Sequence, residues 1–187
     1  MLKKIAIALV LILGGLAAFI ASRPADFRIT RSRTLAAPPA AVHPYVNDFH
    51  RWADWSPWEK LDPAMKRDFA GAPAGTGATY HWVGNDQVGE GRMTIVDSTA
   101  PGSIQIRLDF IKPWASTNTT QFDFAPSGSG TQVTWTMNGR HNFVSKAMCL
   151  VMDMDKMVGP DFEKGLANLD TATASASKAP AAPPPAS

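Results

Sequence analysis

Residues 103–110 read SIQIRLDF, with Ile104, Ile106, Leu108 and Phe110 alternating strictly with Gln105, Arg107 and Asp109. Successive side chains of a strand point to opposite faces, so this run predicts a strand with one apolar and one wet face. The parity continues outward in both directions. Tyr80 pairs with Trp82 and Met93 with Ile95 on the upstream side; Phe122 pairs with Phe124, and Val133 with Trp135 and Met137, downstream. Turn-forming clusters at 84–86 (GND), 100–102 (APG) and 126–130 (PSGSG) separate the runs. Spacing this short implies sequential antiparallel hairpins. With a leading strand at 27–36 and a short one near 66–70, the sheet should hold about six or seven strands, enough to twist and curl.

After Asn142 the apolar pattern changes from strand to helix period. Phe143, Ala147, Leu150, Val151, Met154, Met157 or Val158, Phe162, Leu166 and Leu169 recur at spacings of three and four. This predicts one amphipathic helix of about 25 residues with its stripe toward the sheet. Gly159-Pro160 should kink or break it, because proline removes a backbone donor, and the kink would act either as a hinge or as a static bend. Residues 39–52 read as one or two short helices, with Pro38-Pro39 suited to a first turn.

The two ends differ in composition from this unit, which spans 26–170. Residues 5–21 are an uncharged apolar run behind Lys3 and Lys4, about 25 Å long as a helix, and are expected to form a single-pass anchor within segment 1–22. A cleaved signal peptide is the alternative. Lysines and arginines flank the run on both sides, and their count does not decide its orientation. A very short tail with Lys3 and Lys4 commonly stays inside, which places the domain on the outer (periplasmic or extracellular) side. Residues 171–187 are rich in Ala, Pro and Ser and read as a flexible tail.

The pI of 8.8 does not describe the domain. Lys3, Lys4, Arg23 and Lys178 lie outside it, so 14 of the 18 Lys and Arg face all 16 Asp and Glu. No basic footprint for nucleic acid results. Cys149 is the single cysteine, which excludes an internal disulfide and a cysteine metal cage.

A strand, short helices, a run of hairpins and a long terminal helix is the order of a helix-grip domain: an α+β fold with a curved antiparallel sheet wrapped around a C-terminal helix. Within it stand Trp55-Ser56-Pro57-Trp58, the glycine-rich stretch 71–77 leading to Tyr80-His81-Trp82, Gly89-Glu90-Gly91-Arg92-Met93, Thr131-Gln132-Val133-Thr134-Trp135, and Gly159-Pro160-Asp161-Phe162-Glu163 with Gly165-Leu166. Together, over 27–169, these resemble the polyketide cyclase/dehydrase-like group of the START/Bet v 1 (SRPBCC) superfamily, whose members often carry an N-terminal membrane segment. The resemblance implies an apolar cavity between sheet and helix.

Parity and helical spacing nominate Tyr80, Trp82, Met93, Leu108, Phe110, Phe122, Trp135, Met137, Met154 and Met157 to line that cavity, flexible methionines suiting ligands of varied shape. Trp52, Trp55 and Trp58 either line its mouth or pack the short helices onto the sheet edge. No catalytic constellation emerges. His43, His50, His81 and His141 are scattered outside any metal-ligand motif, Asp153 and Asp155 read as the solvated helix edge, and no cofactor or metal is expected. Glu90, between two glycines, is expected in a hairpin or lifted by a bulge. Arg107, Lys112, Arg140 and His141 are polar groups able to stand at a mouth. The sequence therefore reads as a membrane-anchored binder or carrier of a small hydrophobic molecule or lipid. The alternatives are a cyclase-like enzyme acting on an aromatic or polyketide-type substrate and a non-catalytic interaction module with a filled core.

Overall fold

Seven strands pair antiparallel throughout: β1 (Asp26–Leu35), β2 (Lys66–Gly71), β3 (Ala78–Val83), β4 (Glu90–Thr99), β5 (Ser103–Lys112), β6 (Ser116–Ser127) and β7 (Gly130–Arg140), in the order β1-β7-β6-β5-β4-β3-β2. The structure is a computed structural model and describes residues 1–178. Helices α1 (Leu2–Ser22), α2 (Pro39–Asn47), α3 (Phe143–Met148) and α4 (Met154–Lys178) join them, with short 3₁₀ helices at Phe49–Asp54 and Pro57–Lys60. This is the α+β helix-grip arrangement that the order of elements predicts.

The alternation is realised residue by residue. Ile104 and Ile106 are fully buried while Gln105 and Arg107 are exposed. Two register shifts in the β4–β5 ladder, at Glu90/Gly91 and Ile95/Asp97, bend the sheet over its contents. Gly91 is required at the first, since a Cβ there would overlap the Trp82 indole. The concave space is filled from residues 42–58, where Val42, Val46, Phe49, Trp52 and Trp55 are buried. Trp52 Nε1 donates to the Val46 carbonyl and Trp55 Nε1 to the Tyr45 carbonyl, both at 3.0 Å, so these indoles fasten α2 and the first 3₁₀ helix to the core.

The C-terminal region departs from the single kinked helix that spacing predicts. Asn142 caps α3, its Oδ1 accepting from the Ser145 N–H at 2.8 Å, and α3 ends at Cys149. Residues 149–153 form the break. A new helix then starts where Asp153 Oδ1 accepts from the backbone N–H groups of Asp155 and Lys156, at 3.0 and 3.3 Å. Helix α4 runs through Gly159-Pro160 without interruption. Gly159 answers to a neighbour: a Cβ there would overlap the Arg31 guanidinium, which lies against the helix. Arg31, on the inner face of β1, donates to both carboxylate oxygens of Asp155 and to Glu163 Oε1, each at 2.8 Å. Asp155 thus ties α4 to the sheet, and Arg31 holds its carboxyl below the usual range. Val158, Phe162, Leu166 and Leu169 form the inward stripe, while Met157 is half exposed.

Helix α4 also continues through residue 178, eight residues into the Ala-rich segment read as a tail, because alanine favours helix and Thr171, Thr173 and Ser175 donate to carbonyls four residues back. The rest of that segment lies outside the described residues. At the other end, α1 is long and apolar enough to cross a membrane, and of its side chains only Ile20 is buried.

One acid-sensitive group sits inside the fold. His43 is buried on α2, its ring edge-on to Phe124 at 5.4 Å and its Nε2 3.5 Å from Ser98 Oγ, and burial lowers its pKa below 6.5. A histidine held neutral binds fewer protons folded than unfolded, so its contribution is lost as pH falls through and below 6.5. Chemical denaturation of the full-length protein at stepped pH should show stability declining from about pH 6.5 downward. His43→Gln should flatten that decline; an unchanged slope would assign it to other groups.

A candidate ligand groove between the first strand and the terminal helices

The inner face of the sheet gathers nearly all of the residues nominated for a cavity. Tyr80, Trp82, Met93, Phe122, Trp135 and Met137 are buried there, Leu108 and Phe110 are half buried, and Met154 packs against them from α4. Met157 stands apart because the α4 stripe passes through Val158. These side chains pack on one another. Trp135 stacks on Phe162 of α4 at 4.0 Å with an interplanar angle of 6°, and Trp55 and Trp58 meet its ring edgewise at 5.6 and 5.8 Å. Four aromatic residues from 49–58 (Phe49, Trp52, Trp55 and Trp58) and Phe162 of α4 thus occupy space that strand parity alone assigns to a ligand. Among the described residues Trp135 Nε1 is buried with no hydrogen-bond acceptor, its neighbours including the rings of Trp55, Trp58, Phe122 and Phe162.

A polar cluster closes the β2–β3 side. Glu59 is buried, its Oε1 accepting from the Tyr80 hydroxyl at 2.6 Å and its Oε2 from Arg67 Nε at 2.7 Å, while Arg67 also donates to the Glu59 carbonyl at 3.0 Å. Burial, and then Glu59, push the Tyr80 phenol far above its ordinary value. Both carboxylate oxygens are engaged, so the cluster is a satisfied structural network. Sequence pattern gives Glu59 no prominence; its position after Trp58 in a 3₁₀ helix is what turns it inward.

Open space lies elsewhere. A hollow of about 580 Å³ runs between β1 and the α3–α4 connector, walled by Phe27 and Ile29 on one side and by residues 149–155 on the other. His141 lies at its edge, stacked on Phe27 at 4.7 Å with Nε2 3.7 Å from Cys149 Sγ; burial, and then Lys146, lower its pKa. Met154 is the nominated residue that lines this groove. The rest of the lining was hidden in sequence by reading 143–169 as one helix, although five consecutive apolar residues, 148–152, cannot all face one sheet, and Asp153 is a cap residue. A second, more polar hollow of about 480 Å³ crosses β1, β7 and β6 near Arg28, Thr119 and Asn138.

The remaining polar candidates do not converge. Arg107 pairs with Asp109, Lys112 with Glu90 at 2.6 Å, and Arg140 with Asp26. Glu90 stands at the bulge, and the Lys112 ammonium holds its carboxyl below the usual range. His50 Nδ1 lies 2.9 Å from Asp48 Oδ1. Among the described residues no three metal-ligating side chains come together.

The fold has many relatives among solved structures. A protein of unknown function from Staphylococcus aureus superposes with a TM-score of 0.60 at 10% identity, over 84% of this chain and 99% of its own. A protein from Rhizobium leguminosarum gives 0.58 at 16% identity (82% and 97%), and the Aha1 dimer from Colwellia psychrerythraea gives 0.57 at 14% identity (79% and 96%). At these identities the likeness concerns the fold. No curated protein matches the chain. The family model described as polyketide cyclase / dehydrase and lipid transport matches residues 26–174, which is the sheet together with the helices that grip it, and the chain belongs to that family, an SRPBCC-type helix-grip domain behind an apolar N-terminal helix.

Proposed function

We propose that the chain is a membrane-anchored binding or carrier protein for a small hydrophobic molecule or lipid, admitted through the groove between β1 and the α3–α4 connector. The groove carries this reading: its floor is continuous with the inner face of the sheet. Ile29 is paired across the ladder with Met137, and Phe27 with Gly139, whose missing side chain leaves room for the Phe27 ring. The next inward positions along that row are Asn118, Leu108 and Met93. A ligand entering there would reach Met137, Leu108 and Met93 of the nominated lining, with Trp82 and Phe110 beyond. The opposing wall is a non-helical connector of five residues between two separately capped helices, a segment able to move without unfolding either. The family description, which includes lipid transport, is consistent with such a ligand.

Full-length protein purified in detergent and examined by native mass spectrometry, as isolated and after incubation with phospholipids and polyaromatic compounds, tests the reading. Bound mass is expected. Met154→Lys, which puts a charge into the apolar wall, should weaken binding about tenfold or more. A second reading, an interaction module with a filled core, draws on the Trp55–Trp135–Phe162 packing. Protein that stays ligand-free throughout the panel would favour it. Alkaline extraction of membranes should leave the chain in the pellet; release without detergent would remove the anchor from the proposal.

A further inference from the structure

Helix α1 does not leave the domain at random. Its last turn rests on α3: Ile20 is buried and Lys146 Nζ donates to the Ala21 carbonyl at 3.0 Å. The His141 N–H donates to the Ala25 carbonyl at 2.7 Å and fixes the short link into β1. The end of the sheet beside α1 is therefore defined by pairing. Asp26 opposes Arg140, Phe110 opposes Ser116, and Lys112 opposes Glu90, which puts the β5–β6 and β3–β4 hairpins at the same end as α3.

That end is where the domain is greasy. Trp114, at the tip of the β5–β6 hairpin, is 65% exposed, Val151 in the α3–α4 connector is 86% exposed, and Phe143 on α3 is 52% exposed. Val144, Ile111 and Val83 add to them. The turns at the opposite end, 100–102 and 127–130, carry Ala, Pro, Gly and Ser only. Apolar side chains this large, gathered on one face, mark an interaction surface. Arg23, Lys112, Arg140 and Lys146 lie at the same end, Lys112 and Arg140 paired there with Glu90 and Asp26, and Arg23 lying over the Phe19 ring at 5.6 Å. Aromatic side chains interleaved with cations suit the headgroup layer of a bilayer, where ring and ammonium find apolar and phosphate partners together.

We propose that this end of the domain seats on the bilayer that α1 enters, with Trp114 and Val151 embedded at the headgroup level and the mouth of the groove turned to the lipid. The proposal rests on α1 spanning the membrane. It adds a docking face and a route: a hydrophobic ligand passes between bilayer and groove across the Leu150–Val151–Met152 segment without crossing water.

The full-length chain in phosphatidylcholine vesicles containing brominated acyl chains tests it. Trp52, Trp55, Trp82 and Trp135 are buried and Trp58 is half buried, so contact quenching should come mainly from Trp114. Quenching is expected in the wild type, largely lost in Trp114→Phe, and regained in Trp114→Phe combined with Val151→Trp. Both positions are exposed, so neither change disturbs the core. Chains that float with the vesicles after alkaline wash but give no quenching from either reporter, as a second copy covering the patch would give, overturn the seated face while leaving the anchor. Chains released by the wash overturn both.

Discussion

Trp135→Ala is expected to destabilise the domain by about 3–5 kcal/mol, a large share of the ~5–15 kcal/mol available to a folded domain of ordinary stability. Trp135 is 2% exposed and is the ring on which the sheet, the two 3₁₀ helices and α4 meet, through Phe122, Trp55, Trp58 and Phe162. Gly165 on α4 is small for the same reason: a Cβ there would come to 2.8 Å of the indole. Removing the indole leaves a hole between elements that cannot all close on it. Trp135→Phe should cost much less, because a ring remains and the buried Nε1 without an acceptor disappears. Urea unfolding of the full-length protein in a mild detergent provides the measurement. A cost below about 1 kcal/mol for the alanine variant would mean loose packing under α4 and would relocate the ligand space there.

Glu59→Ala is expected to cost about 2–4 kcal/mol. It strands the Tyr80 hydroxyl in the interior and removes the carboxylate that Arg67 approaches from a partly exposed position, which keeps the figure below that of a fully buried ion pair. Glu59→Gln, which keeps an acceptor for Tyr80, should lie between, and Tyr80→Phe alone should cost about 1 kcal/mol. Because Tyr80 and Glu59 share one bond, Glu59→Ala combined with Tyr80→Phe should fall short of the sum of the two. Strict additivity in the unfolding data would mean that the 2.6 Å contact contributes nothing to stability.

The sheet was legible because a period of two leaves little freedom: Ile104, Ile106, Val133 and Trp135 could share a face in only one way, and they do. The helices were legible as apolar stripes and illegible in their breaks. Gly159-Pro160 looks like a stop in sequence, yet glycine there makes room for Arg31, a residue more than a hundred positions earlier, and no local pattern carries that information. The true break at 149–153 did leave local marks in the caps Asn142 and Asp153. Of the candidate cavity residues all but Met157 pack into the space between sheet and helix, but parity gives direction and not occupancy. Whether Tyr80 and Trp135 meet a ligand or another ring is decided by residues 49–58, whose short 3₁₀ turns have no periodicity to read.

The pairing of β1 with β7 also sets an order of events during synthesis. β2 to β7 form successive hairpins that can zip as the ribosome delivers them, whereas β1 finds its partner only when residues 131–140 have emerged. At ~5–20 residues per second, roughly a hundred intervening residues keep β1 waiting for about 5–20 s. Throughout that interval it is tethered beside α1 with its ladder groups open. The newborn chain therefore holds an unpaired strand next to α1, and once the sheet closes only α3 and α4, which follow β7 in the chain, are left to dock on it.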